Sequence, residues 1–250
     1  WLRDEIRMTK KLTDKPFGVN IMLMADNIDE IVEVVCVEGI KFATLGAGNP
    51  VPYISKLKDH GILPIPVVPN LRLAKKVENA GAVAIVVEGM EAGGHIGTQT
   101  TMALLTNIIP QIKIPVVAAG GIVDKRGYNA AMIMGASGVQ MGSRFLLSEE
   151  CVVHHNVKEA IIKATDTDSI VTGFTKGHGV RGLKNKFTKR YLEIELSCGD
   201  REEMSRMSKG TAKAAAIDGD IETGLVQVGQ SLGQLNHIMS CKDIIKELID

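Results

Sequence analysis

Apolar residues in the first 145 positions fall into six short runs, at residues 17–23, 41–45, 62–68, 82–87, 114–119 and 136–141. Each has the length and aliphatic content of a buried strand and ends in a polar or glycine-rich tip. Between the runs lie stretches of helix length, at 27–38, 50–60, 71–80, 100–111 and 124–135. In the first of these Ile28, Ile31, Val32 and Val35 share one face, with Asp26 or Asn27 placed to cap the start and Gly39 to close the end. Residues 1–15 read as the tail of a helix that Pro16 terminates.

Strand, tip and helix, repeated six times without a linker, predict a (β/α)8 TIM barrel. Eight units close such a barrel, so the pattern implies that the first two strands precede Trp1 and that the chain is a fragment. Ligands of parallel sheets gather at the carboxyl ends of the strands, which places the functional site on the tips. After Phe145 the rhythm changes. A helix is predicted over 154–164, a strand or extended loop over 170–175, a polar helix over 201–216, a helix-like stretch over 222–235 and an amphipathic helix from Cys241. Residues 1–150 therefore read as barrel, and 151–250 as a small C-terminal helical lid or cap lobe whose last helices pack back on it.

Charge and cysteine usage narrow the function. With 29 basic and 29 acidic side chains, the chain lacks the charge excess of a general nucleic-acid or membrane-surface binder. Cys36, Cys151, Cys198 and Cys241 are scattered without metal-ligand spacing, so they read as thiols in a reducing compartment, and no metal site is expected. No run approaches the ~20 apolar residues of a membrane span, and no secretory signal is visible. A cytoplasmic protein is the expectation.

Chemistry-bearing residues cluster on the tips. Gly120-Gly121 and Gly142-Ser143 end the last two runs. They form either tight turns or the backbone-amide cradle that holds phosphate in barrels. His95 lies in Gly93-Gly94-His95-Ile96-Gly97, a loop with no core to bury it; it is either a solvated side chain or a proton or hydrogen-bond donor near neutral pH. Asn20 and Glu88 sit at the ends of otherwise apolar runs, where each can satisfy loop backbone or contact a cofactor ring. Arg181, Lys184, Lys186, Lys189 and Arg190 form a basic run that is either a solvated helix face or a dock for an acidic partner.

Four segments together resemble a known family: Phe17-Gly18-Val19-Asn20, the stretch from Glu88 to Gly97, Ala118-Ala119-Gly120-Gly121-Ile122, and Gln140-Met141-Gly142-Ser143-Arg144-Phe145. They are similar to the FMN-dependent nitronate monooxygenase superfamily. Glu91-Ala92-Gly93-Gly94-His95-Ile96-Gly97, with Gly177-His178-Gly179-Val180-Arg181 and Lys184-Asn185, is closest to its enoyl-acyl-carrier-protein reductase II branch. Gly229-Gln230 extends the likeness to the end of the chain. The resemblance implies a barrel holding FMN, with NAD(P)H as reductant and reduction of trans-2-enoyl-acyl-carrier-protein in fatty-acid synthesis as the activity. The alternative within the superfamily is oxygen-dependent oxidation of alkyl nitronates. It implies His95 as the catalytic residue and Asn20, Glu88, Gly93, Gly94, Gly120, Gly121, Gly142 and Ser143 as flavin contacts. Acidic acyl carrier protein would dock on the basic run, and a homodimer is expected. The family's first strand, with its flavin-contacting Gly-Met segment, and its second strand have no counterpart here.

Overall fold

The computed structural model describes residues 1–197 and 199–250, so Cys198 lies outside the described residues. All six predicted strands form, as β1 (Gly18–Met22), β2 (Phe42–Gly46), β3 (Leu63–Val68), β4 (Ile85–Glu88), β6 (Val116–Ala119) and β7 (Gly138–Gln140). They pair in parallel in that order, making a six-stranded arc of a (β/α) barrel; β1 and β7 are its two edges and are not joined. The helices between them are α2 (Ile28–Glu38), α3 (Val51–Asp59), α4 (Leu71–Asn79), α5 (Thr101–Ile108) and α6 (Lys125–Ile133). They start and stop as their sequences require. Asn70 caps α4 by accepting the Leu73 N–H at 2.9 Å, and Asp124 caps α6 by accepting that of Gly127 at 3.0 Å. Asn27 occupies the cap position of α2 but makes no side-chain cap bond, whereas Gly39 closes that helix in the left-handed conformation as expected.

The packing follows the two periodicities. Along β2, Ala43 and Leu45 are buried against the helices while Thr44 faces the other way. Ile21, Leu45, Ile85, Leu57, Leu104 and Ile108 belong to one continuous core between the arc and its helices, and full burial of each such side chain is worth roughly 1.5–3 kcal/mol. Helix α1 (Leu2–Leu12) docks on α2 by burying Ile6 and by directing Arg3 and Arg7 at the buried Glu38 carboxylate.

The remainder builds a second layer. A two-residue strand β5 (Gly94–His95) pairs antiparallel with β9 (Val180–Leu183), which pairs with β8 (Ser169–Thr172). His95 therefore lies in a strand rather than the expected loop, with Val180 as its partner. Helices α7 (Ser143–Leu146), α8 (His155–Lys163), α9 (Lys186–Leu196), α10 (Arg201–Ser208), α11 (Thr211–Ala216) and α12 (Cys241–Ile249) complete the chain. Val157, Ile161, Leu183, Val226, Val228 and Leu232 form a second core with Val123 and Leu147 of the barrel side.

Two sequence expectations fail here. The single helix over 201–216 is broken by Gly210, at φ +80°, into α10 and α11. Residues 222–235 are not helical. Apart from a short 3-10 turn at Leu232–Gln234 they run irregularly, and their backbone groups bond largely to other elements: the Glu222 and Val226 carbonyls accept from Phe187 and Leu183, the Leu225 N–H donates to Thr211 and the Gln230 N–H to Glu91. Cys36, Cys151 and Cys241 are free thiols, and no helix among the described residues is long and apolar enough to cross a membrane.

Candidate functional site

Parallel register gathers polar groups at the carboxyl ends of the strands. Asn20 is in register with Thr44, and the Thr44 hydroxyl donates to Asn20 Oδ1 at 2.8 Å. Glu88, Ala119 and Gln140 form one rung across β4, β6 and β7. Above these rungs opens a cleft of about 450 Å³, lined among others by Asn20, Glu88, Gly93, Gly120, Gly121, Gly142 and Ser143. That volume falls within the ~300–1,000 Å³ usual for small-molecule and cofactor sites.

Two glycines of the cleft are obligatory. Gly120, at φ +99°, would place a Cβ 2.8 Å from the Gly89 carbonyl oxygen, and Gly121, at φ +79°, would place one 2.4 Å from a Glu91 carboxylate oxygen. At Gly120 a side chain would have to move the Gly89 backbone, whereas at Gly121 it would displace the end of the Glu91 side chain and strain a left-handed backbone. Among the described residues the backbone amides of Gly121, Gly142 and Ser143 donate no turn, loop or cap hydrogen bond. They remain available to an anionic ligand.

The irregular segment 225–231 forms one wall. Its Gly229 N–H donates to Ser143 Oγ at 2.8 Å, its Gln230 N–H to the Glu91 carbonyl at 2.9 Å, and its Ser231 hydroxyl to the Gly121 carbonyl at 2.7 Å. It thus ties together the tips of β4, β6 and β7, and lines the cleft with Gln227, Gly229 and Ser231. Thr44, Gln140, Gln227 and Ser231 were not singled out in the sequence. For Thr44 a signal existed: it is the one polar residue in the run 41–45 after Lys41. For Gln227 and Ser231 none did, since only tertiary contact brings them to the tips.

Electrostatics mark two side chains. Burial pushes the Glu88 carboxyl up to about 7, and among the described residues neither a hydrogen bond nor an ion pair compensates. His95 is held below its ordinary value by desolvation first and by the neighbouring His178 second, which leaves its imidazole neutral at pH 7. Gly94 and His95 are not part of the cleft wall; they follow Gly93 onto β5, with Gly94 beside the Gln227 side chain. Arg181 corrects the expectation of a five-residue basic surface. It lies in β9, is buried, and donates from Nε to the Met90 carbonyl at 3.0 Å and from a guanidinium nitrogen to Ser169 Oγ at 3.1 Å. Its charge braces the loop between β4 and β5. Lys184, Lys186, Lys189 and Arg190 are exposed, with Lys186 paired to Glu222 and Arg190 to Glu193.

The family model described as nitronate monooxygenase matches residues 22–250. A (3aS,4S,5R,7aS)-5-hydroxy-7a-methyl-1-oxo-octahydro-1H-indene-4-carboxyl-CoA dehydrogenase of Rhodococcus jostii is 32% identical, over 99% of this chain and 81% of that protein. A probable nitronate monooxygenase of Staphylococcus saprophyticus is 30% identical, over 99% of this chain and 83% of that protein. Among solved structures, FabK from Thermotoga maritima matches with a TM-score of 0.95 at 44% identity, over 99% of this chain and 79% of that one. Nitroalkane oxidase from Streptomyces ansochromogenes shares the fold, with a TM-score of 0.85 at 24% identity over 98% of this chain and 82% of that one.

Proposed function

The chain belongs to the nitronate monooxygenase family of flavin-dependent oxidoreductases, and we propose that it reduces trans-2-enoyl thioesters on acyl carrier protein with NAD(P)H. The observation that carries this reading is the likeness to FabK, an enoyl-acyl-carrier-protein reductase II, at 44% identity across 99% of the chain. The Rhodococcus relative, named for a carboxyl-CoA, keeps thioester chemistry within reach of the family.

The residues present fit FMN. Gly121, Gly142 and Ser143 offer unengaged amides for its phosphate, and Gly120 and Gly121 keep that corner free of side chains. Asn20, Glu88 and Gly93 line the other parts of the cleft and would hold the remainder of the group, while Gly94 lies outside that lining beside Gln227. FMN supplies hydride exchange between a nicotinamide nucleotide and an enoyl chain. As the Cα=Cβ bond of the thioester is saturated, negative charge collects on the thioester oxygen and Cα. His95, a neutral imidazole on β5, would donate an N–H toward that charge, one preorganised donor of this kind being worth ~3 kcal/mol, and a proton from that N–H or from solvent completes Cα. Ser143 keeps its hydroxyl proton for the ligand because its oxygen already accepts from Gly229. Acidic carrier protein would dock on Lys184, Lys189 and Arg190 with Lys186, without Arg181.

The family match and the Staphylococcus relative favour a second reading, oxidation of alkyl nitronates. One titration separates the two. Under anaerobic conditions, an absorbance band near the flavin maximum should bleach with NAD(P)H and return on adding an enoyl thioester. A band that bleaches but ignores the thioester, with oxygen uptake when a nitronate is added to a separate aerated sample, refutes the reductase and supports the second reading.

A further inference from the structure

The turn that joins β8 to β9 is held by a carboxylate for which the chemistry above has no use. Glu195, on α9, is only 4% exposed. It accepts three hydrogen bonds: from the Gly173 N–H to Oε2 at 2.6 Å, and from the Thr175 N–H at 2.8 Å and the Thr175 hydroxyl at 2.6 Å, both to Oε1. Burial alone would raise its pKa; the bonds from Thr175 and Gly173, with the charge of Lys176, outweigh burial and hold it below the usual value. A buried carboxylate without an ion pair is costly to keep. What it organises is therefore informative.

It organises a path to His95. Gly173 and Gly177 adopt φ +74° and +77°, and a Cβ on Gly173 would lie 2.5 Å from the His178 carbonyl oxygen, so the turn admits one tight shape. The Gly173 carbonyl, next to the N–H that Glu195 binds, accepts the His178 N–H at 3.0 Å. One residue on, the Gly179 carbonyl accepts the Ile96 N–H at 2.9 Å, beside His95. The imidazole of His178 is close enough to act electrostatically on that of His95. Hydrogen bonds and short covalent links thus connect the Glu195 carboxylate to the backbone that presents both histidines.

We propose that Glu195 is a positioning residue, fixing the Gly173–Gly179 turn and thereby setting how His178 faces His95. The bearing of this on turnover rests on the role given to His95 above; the positioning itself does not.

The test uses the flavin-loaded full chain and two variants, Glu195→Gln and Thr175→Val. Glu195→Gln keeps the shape but leaves one carbonyl oxygen where two carboxylate oxygens accepted, so its NH2 must face either the Gly173 N–H or the Thr175 N–H, both of which only donate. The amides of Gly173, Thr175 and Ile96 should exchange about tenfold faster with solvent, the scale of losing a charged hydrogen-bond acceptor. The ring resonances of His95 and His178 should both move, while the flavin absorbance band, which reports the cleft, stays in place. Thr175→Val should move the same resonances in the same direction and less far. In the thioester assay Glu195→Gln should lower kcat about tenfold and leave KM for the nicotinamide nucleotide within about twofold. A lower melting temperature with unmoved histidine resonances and unchanged exchange overturns the proposal, because Glu195 would then only stabilise the fold. If the chain turns over no enoyl thioester at all, the resonances and exchange rates still decide the role of Glu195.

Discussion

Replacing Glu88 by glutamine should stabilise the flavin-free protein, and only when the pH is high. The carboxyl ends β4 inside the cleft, without a hydrogen bond or ion pair among the described residues, and burial takes its pKa from 4.5 to about 7. At ~1.4 kcal/mol for each tenfold change in proton affinity, that rise is on the order of 3 kcal/mol. The sign follows from where the proton binds more tightly. The folded state holds it up to about pH 7, whereas the unfolded chain releases it near pH 4.5. Stability is thus untouched by ionisation below pH 4.5, falls as the pH rises between the two values, and carries the full penalty above about pH 7. Glu88→Gln is a neutral isostere at every pH. It should match the parent near pH 4 and exceed it near pH 8 by roughly 3 kcal/mol, or roughly 6–12 °C in Tm for a chain of this size. Thermal unfolding of both proteins by circular dichroism across that range checks it. Equal melting temperatures near pH 8, or a gap of the same size at both ends, would refute the account of an uncompensated buried carboxylate.

Two further substitutions probe the site. His95→Ala should retain the flavin band and lose about a hundredfold in enoyl-thioester turnover, the equivalent of one preorganised donor; a loss of only a few-fold in steady-state assays would remove His95 from the chemistry. Because desolvation and His178 hold its pKa below the ordinary value, its imidazole is the same neutral donor across the range above neutrality, and the parent's turnover should stay level there. Gly120→Ala forces a side chain into φ +99° and to 2.8 Å from the Gly89 carbonyl oxygen. It should cost at least ~1–2 kcal/mol and abolish the flavin band on purification; a yellow protein with an unchanged melting temperature would contradict the cradle.

The barrel arc was legible in the sequence because its information is local. Six apolar runs, with alternating burial clearest in β2 and β3, helices between them and glycines at the helix ends are each written within about a dozen residues, and each strand formed within three residues of its expected bounds. The glycine and polar residues on the strand tips of the cleft were legible for the same reason. Asn20, Glu88, Gly120, Gly121, Gly142 and Ser143 stand on strand tips, and parallel register puts strand tips together. Past Phe145 that logic lapsed. The helical pattern of residues 222–235 is real as a pattern, yet the backbone there bonds to Thr211, Leu183, Phe187 and the barrel tips rather than closing helical turns.

By itself, then, the order of residues determined the repeating unit, the edge of the sheet on which the cleft opens and most of the groups on its tips. Tertiary structure decided the rest. It paired His95 with Val180 in a strand, buried Arg181 under the loop it braces, brought Gln227 and Ser231 to the cleft and left the carboxylate of Glu88 without a partner among the described residues. All four depend on contacts between segments from about 85 to 140 residues apart, or on the solvent that packing excludes from the cleft. Neither quantity is encoded in any short window of the chain, which is where propensity and periodicity act.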